Sequence, residues 1–185
     1  RHITSGAQAE MGFTIPACIG IAFAMKDPKV VGITGDGSFQ TNIQELQTIV
    51  HYGLPIKLFI WNNDGYLSIR TTQKKYFEGR FIGTGKSDGV SFPDIEKIAN
   101  AYGIKYFLFS NNEELDANLR KAIEFDGPVI CEVMCKKWDQ VLPTLSAKKL
   151  DDGRMISKPL EDMYPFLTRK EFYDNMIINP LEEKE

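Results

Sequence analysis

From Met11 to Lys26 the chain reads MGFTIPACIGIAFAMK. It is apolar on nearly every side, which predicts a buried helix with Pro16 near its first turns, where a missing N–H is tolerated. Val30 to Thr34 is a short β-branched run and predicts a strand buried on both faces. Gly35-Asp36-Gly37 breaks that run. Between Asn42 and Tyr52, Ile43, Leu46, Ile49 and Val50 recur at helical spacing, and Gly53 stands where a helix stops. Pro55 opens a second apolar strand, Ile56 to Trp61, which ends in the turn signal Asn62-Asn63-Asp64-Gly65. Residues 66–89 are polar and glycine-bearing, with little clean periodicity. Order resumes at SFPDIEKIANAYG, a helix with Ser87 or Ser91 as its cap, Pro93 near its first turn and Gly103 as its stop. Lys105 to Phe109 predicts a third strand. Leu115, Leu119, Ala122 and Ile123 mark a helix, and Pro128 to Met134 a fourth strand.

A helix followed by alternating strands and helices predicts an α/β fold, a doubly wound parallel sheet with helices on both faces. That pattern occupies residues 1–135. Beyond it the periodicity dissolves into four prolines, charged clusters and isolated aromatics. Residues 136–185 therefore read as an extended carboxy-terminal arm with one short helix near Thr168 to Asp174. No internal repeat is visible. The chain opens at Arg1 on residues that already look like the middle of a structure, which suggests a domain excised from something longer.

Composition narrows the function classes. The chain is 43% hydrophobic, enough for a sizeable core across 185 residues. A net charge of -3 gives no basic footprint, so nucleic acid is a poor partner. No apolar run reaches the ~18 residues that suggest a membrane span. Three cysteines, Cys18, Cys131 and Cys135, make no disulfide framework and read as buried thiols of a reduced, cytoplasmic protein. Cys131 and Cys135 would share one face of the last strand. A metal there would need further ligands, and His2 and His51 are far away in sequence.

Open parallel sheets bind ligands at the carboxyl ends of their strands. Two such ends are unusually equipped here, one with Gly35-Asp36-Gly37-Ser38 and the other with Asn62-Asn63-Asp64-Gly65. If the two strands are neighbours, Asp36 and Asn63 can meet above the sheet. A carboxylate, an amide oxygen and a backbone carbonyl are hard oxygen ligands suited to Mg²⁺ or Ca²⁺, and Mg²⁺ commonly brings a phosphate group with it. Flanking glycines let the backbone come close, and a following helix start offers N–H groups to phosphate. Each motif alone has an ordinary explanation: Asp36 as a turn or N-cap residue, Asn62-Asn63 as a turn. A dinucleotide site would need a third glycine where Gln40 stands, which argues against a non-catalytic nucleotide-binding domain.

Gly-Asp-Gly followed about 27 positions later by Asn-Asn resembles the cofactor motif of thiamine-diphosphate-dependent enzymes. TSGAQAEMGFTIPACIGIAFA and GDGSFQTNIQELQTIVHYGLPIKLFIWNN are similar to the carboxy-terminal, pyrophosphate-binding domain of the acetolactate synthase group. The resemblance implies thiamine diphosphate and Mg²⁺ as cofactors, with Asp36, Asn63 and the Gly65 carbonyl as metal ligands. It places Gly35, Gly37 and Ser38, with the backbone at Tyr66 and Leu67, near the diphosphate. Met11 matches the bulky residue under which thiamine bends, and the Ala9 carbonyl matches the holder of its amino group. The plain alternative for Met11 is a core gap-filler.

The implied activity is decarboxylation of a 2-keto acid such as pyruvate, then ligation to a second carbonyl. No catalytic residue is implied in this chain, because the family's activating glutamate lies on an amino-terminal domain of the same or a partner subunit. A homo-oligomer follows from that division, and FAD would belong only to a middle domain. After Asn63 the acetolactate synthases continue with a Gly-Met pair and a downstream tryptophan, where this chain has Leu67, Ser68 and Thr72. That departure supports an alternative, a 2-keto acid decarboxylase or a keto-sugar nucleotide carboligase. The stretch PTLSAKKLDDGRMISKPLEDMYPFL reads either as a packing arm or as a lid.

Overall fold

Helix α1, Thr14–Ala24, leads into strand β1, Val30–Gly35, and helix α2, Asp36–Thr41, begins on the next residue. A 3₁₀ turn at Ile43–Glu45 passes the chain to α3, Leu46–His51. There follow β2 (Ile56–Asn62), α4 (Leu67–Tyr76), α5 (Ile95–Ala101), β3 (Lys105–Phe109), α6 (Leu115–Glu124) and β4 (Val129–Met134). The computed structural model describes residues 1–6, 8–25, 29–139, 142–150 and 152–180, in two compact units, Arg1–Trp138 and Asp139–Glu185. In the first unit the strands pair in parallel in the order β1-β2-β4-β3, the doubly wound α/β sheet that the pattern predicts.

The strand order explains where the helices lie. The connections from β1 to β2 and from β2 to β3 advance in one direction, and the connection from β3 to β4 steps back. Right-handed crossovers then place α6 on the opposite face from α3 and α5. On the first face Val30, Ile56, Leu58, Ile60 and Ile130 meet Ile15 and Cys18 of α1, Leu46 and Ile49 of α3, and Ile95 and Ala99 of α5. On the second face a smaller cluster joins Phe109, Val129 and Cys131 to Ala122 of α6.

Several elements differ from the sequence pattern. β1 buries one face only, with Val31 and Ile33 52% and 56% exposed. It is an edge strand, and α6 is the one helix packed on that side, among the described residues. Helix α1 is shorter than the predicted 11–26 span, whose last residue lies outside the described residues, and it buries only Ile15, Cys18 and Ala22. The helix predicted from Asn42 is realised as the 3₁₀ turn followed by α3, and α2, which the pattern did not predict, precedes it from Asp36. Helix α5 is capped by Asp94, whose carboxylate accepts from the Lys97 N–H at 3.0 Å, rather than by either serine. Cys18 and Cys131 are buried, and burial pushes their thiols up to about 11 and about 12. Cys135 is half-buried and lies one residue past the end of β4.

Helix α4 falls in the stretch without periodicity, and its one buried residue is Arg70. A helix anchored by a cation leaves no apolar stripe to read.

The second unit carries more order than an extended arm. Ala147–Lys149 (β5) and Met155–Ser157 (β6) form an antiparallel pair, and α7 spans Arg169–Asn175. Strands of three residues are too short for alternation to stand out. Asp162, 2% exposed, accepts two bonds from the Arg169 guanidinium at 2.8 and 2.9 Å and lies 3.5 Å from the Lys158 ammonium. The guanidinium holds the Asp162 carboxyl below the usual carboxylate range.

Gly32 sits in β1 where a Cβ would lie 2.7 Å from Cys18 Sγ and 3.0 Å from Leu58 Cδ1, whereas one at Gly20 on α1 would meet nothing within 4 Å. Gly32→Ala is expected to destabilise the first unit by ~1–3 kcal/mol through overpacking. Gly20→Ala should be neutral or stabilising by up to ~1 kcal/mol. Urea unfolding of the two variants checks both.

Candidate cofactor site

Gly35 pairs with Trp61, so the end of β1 lies beside the end of β2. Asp36, the first residue of α2, is 4% exposed. Its Oδ1 accepts from the Gly37 N–H at 2.8 Å and its Oδ2 from the Gly65 N–H at 2.9 Å. Burial pushes the carboxyl above the usual carboxylate range and the Asp64 charge adds to the rise, while the N–H groups of Gly65, Gly37 and Asn63 pull it down. The Asp36 carboxylate and the Asn63–Gly65 turn do meet above the sheet.

The turn that receives Asp36 is built tightly. Asp64 and Gly65 adopt left-handed backbone with φ of +58° and +130°. A Cβ on Gly65 would lie 2.0 Å from the Thr84 carbonyl oxygen, so only glycine fits. Asn62 still belongs to β2. Its side-chain oxygen accepts from the Asp64 N–H at 3.1 Å, and its backbone carbonyl accepts from the Cys135 N–H at 2.8 Å. Asn63 Oδ1 is buried with no hydrogen-bond partner, and so is Gln40 Oε1. Gln40 lines a small cavity with Asp36, Asn62, Asp64 and Phe92.

Arg70 was not among the residues that the sequence singled out. It is 1% exposed, and its guanidinium donates to the carbonyls of Lys137 (2.6 Å), Asp64 (2.6 Å) and Thr84 (3.1 Å). It also lies 5.3 Å from the centre of the Trp138 ring. One cation thus ties the turn after β2, the 83–90 loop and the chain after β4. That loop is itself closed by the Asp88 carboxylate, which accepts from the N–H groups of Thr84 and Gly85 and from the Thr84 hydroxyl. Those bonds hold the Asp88 carboxyl below its usual range. The available signal was an arginine followed by the closely spaced glycines Gly83, Gly85 and Gly89.

The remaining predicted residues divide into two groups. Gly37 lies under the Tyr66 ring, which a Cβ there would approach to 2.2 Å, and Tyr66 packs edge-on against Phe92. Gly35 is the extended residue before α2, and Leu67, half-buried, opens α4. The amino-terminal group is joined through Gly12, whose N–H donates to Ser38 Oγ at 2.9 Å and whose carbonyl accepts from Asn42 Nδ2 at 2.8 Å. Met11, 51% exposed, fills no core gap. It lines an open cleft with Glu10, Phe13, Pro16, Ala17 and Asn42. Ala9 is exposed, with φ of +51°.

The family model described as "Thiamine pyrophosphate enzyme, C-terminal TPP binding domain" matches residues 1–133. The chain belongs to this family. It is 34% identical over 158 residues to an acetolactate synthase large subunit of Pyropia yezoensis, covering 85% of this chain and 26% of that protein. It is 36% identical over 144 residues to the mitochondrial acetolactate synthase catalytic subunit of Saccharomyces cerevisiae, covering 78% of this chain and 20% of that one. The chloroplastic acetolactate synthase 2 of Nicotiana tabacum is 32% identical over 149 residues, covering 78% and 22%. The chain spans about a quarter of the length of these relatives or less.

In this TPP-binding domain the candidate donor set would be one carboxylate with amide and carbonyl oxygens. Among the described residues no three His, Cys, Asp or Glu side chains converge. The orphaned Asn63 Oδ1 beside a buried carboxylate fits a hard divalent cation, which would satisfy both.

Two outcomes follow. Arg70→Lys keeps the charge but cannot fork to three carbonyls, and should cost about 2–4 kcal/mol in urea unfolding. For Asp36, a folded-state pKa raised by burial means that its charge disfavours folding above that pKa and that the penalty vanishes as pH falls through it. Without metal, the parent should gain stability relative to Asp36→Ala on acidification. With saturating Mg²⁺ the trend should reverse, because the metal favours the charged form. Thermal unfolding from neutral to mildly acidic pH reads both.

Proposed function

We propose that in the full-length protein this domain holds thiamine diphosphate through Mg²⁺ and takes part in decarboxylating a 2-keto acid such as pyruvate and joining the product to a second carbonyl. The observation that carries the reading is the Asp36 carboxylate bonded to the Gly65 N–H, with the partnerless Asn63 Oδ1 in the same turn. Asp36, Asn63 and the Gly65 carbonyl would hold the metal. Gly35, Gly37 and Ser38, with the backbone of Tyr66 and Leu67, would surround the diphosphate. Residues 1–135 would form the cofactor-binding domain, and 136–185 its carboxy-terminal arm.

The chemistry that the bound cofactor supplies is an electron sink for the bond broken when CO₂ leaves. The protein's share is placement and charge compensation. The Asp36 charge, already costly in its buried setting, would be neutralised by the metal and so help to bind it. Met11 offers an exposed apolar ledge on its cleft, fixed by the two bonds to Gly12, against which a heterocycle would bend. The Ala9 carbonyl would hold the cofactor's amino group.

The glutamate that activates the cofactor would come from an amino-terminal domain of the same or a partner subunit, and FAD, where used, from a middle domain. Exposed Val31, Ile33 and Trp61 on one sheet face, with Phe23 and Met25 at the end of α1, support coverage by such a domain and a homo-oligomer. Light scattering of the full-length protein should give a dimer or larger. No described helix is long and apolar enough to cross a membrane. The buried thiols of Cys18 and Cys131 support a reduced compartment such as the cytoplasm.

Leu67, Ser68 and Thr72 favour a second reading in which the same cofactor serves a simple decarboxylase or a keto-sugar nucleotide carboligase. Calorimetry of the full-length protein should show thiamine diphosphate binding that needs Mg²⁺, and EDTA or Asp36→Ala should abolish it. Binding unchanged by Asp36→Ala would refute the site. Product analysis with pyruvate then separates acetolactate from acetaldehyde or a branched sugar.

A further inference from the structure

A buried carboxylate on β4 reaches the same turn and has no part in the reading above. Glu132 is 8% exposed and pairs in register with Ile60 of β2. One of its oxygens accepts from Asn62 Nδ2 at 2.6 Å, and the other accepts from the Tyr106 hydroxyl at 2.5 Å. An amide side chain has one donor end and one acceptor end, and an ionised carboxylate can only accept. Glu132 therefore takes the NH₂ end of Asn62 and turns the carbonyl end toward the Asp64 N–H, which it meets at 3.1 Å. That bond closes an Asx turn, a side-chain-templated bend that suits left-handed backbone. The backbone passes through φ of +58° at Asp64 and +130° at Gly65, and the Gly65 N–H arrives 2.9 Å from Asp36. The Tyr106 hydroxyl occupies the second oxygen, so the carboxylate cannot swing away without leaving a buried group unpaired.

We propose that Glu132 is a positioning residue for the metal-binding turn, acting through the orientation of the Asn62 amide. The proposal rests on the Mg²⁺–diphosphate reading of Asp36 and Asn63, and it adds two residues, Glu132 and Asn62, that this reading does not count among the ligands. Its content is the polarity of one hydrogen bond, so it can be tested by reversing that polarity.

The experiment uses the full-length protein, with Mg²⁺-dependent thiamine diphosphate affinity by calorimetry and the exchange rates of the Asp64 and Gly65 amides as readouts. Glu132→Leu removes the acceptor and should weaken affinity by ~10–100-fold, the usual scale for groups that orient metal ligands. Glu132→Gln can still accept from Asn62 with its oxygen and donate to Tyr106 with its nitrogen, so it should stay near the parent. Asn62→Asp sets two carboxylates against each other and should weaken affinity as far as Glu132→Leu does. Combining Asn62→Asp with Glu132→Gln restores a donor facing an acceptor and should recover affinity to within about threefold of the parent, a coupling that neighbouring residues show and independent ones do not.

Asn62→Asp without effect, or not rescued by Glu132→Gln, would overturn the proposal. Should Glu132→Leu fail to fold, the size-preserving Asn62→Asp and Glu132→Gln variants decide alone. If the parent shows no Mg²⁺-dependent binding, the cofactor reading falls. Amide exchange then decides the role of Glu132 in the turn: faster at Asp64 and Gly65 in Asn62→Asp and slowed again in the double variant supports it, and exchange unaltered by either overturns it.

Discussion

The hydrogen bond from the Gly65 N–H to the Asp36 carboxylate ties together everything that makes this sheet a site. It joins the first residue after β1 to the turn after β2. It can form only because the two strands are parallel neighbours ending level with each other. A buried carboxylate answered by backbone N–H groups alone is an unfinished electrostatic arrangement, since burial still pushes its pKa upward. A cation would complete it, and the turn brings with it a buried amide oxygen that has no hydrogen-bond partner at all. The glycines follow from this geometry: Gly65 because its Cβ position is taken by the Thr84 carbonyl, Gly37 because the Tyr66 ring lies against it.

The turn is held from two directions by different physics. From the sheet, Glu132 and the end of β4 fix Asn62 by directed hydrogen bonds. From the other side, Arg70 gathers the backbone carbonyls of Lys137, Asp64 and Thr84, the last of which also accepts from the Tyr66 N–H. A guanidinium suits that task because its planar fork donates along several directions at once. The consequence is a helix, α4, that is anchored by a charge rather than by an apolar face. Its residues belong to the site's scaffold more than to the hydrophobic core.

The two faces of the sheet are unequal. Helices α1, α3 and α5, with Phe39 of α2, cover one face and leave it with the larger core, while α6 covers only part of the other, so Val31, Ile33 and Trp61 remain half exposed. A patch of that kind is unusual on a solitary unit. It agrees with a chain that spans about a quarter or less of the length of these relatives.

Strong local signals carried most of the fold. The β-branched run 30–34, the apolar run 56–61 and the alternation after them specified the parallel sheet, because buried strands and amphipathic helices each leave a period in the sequence. The Gly-Asp-Gly and Asn-Asn pair was legible as well, since a carboxylate and an amide at two strand ends are conspicuous against an apolar background. What remained hidden were the features whose meaning depends on distant partners. Arg70 reads as an ordinary surface residue until three carbonyls from separate segments converge on it. Glu132 reads as a charge inside a strand until Asn62 and Tyr106 claim its two oxygens. The exposure of one side of β1 was equally invisible, because it follows from strand order and not from the residues of β1. The sequence by itself determined the four strands of the parallel sheet, most of the helices and the candidate ligands, through periodicity and local chemistry. Only the tertiary structure decided how those ligands are oriented, because orientation is set by hydrogen bonds between residues up to about seventy positions apart.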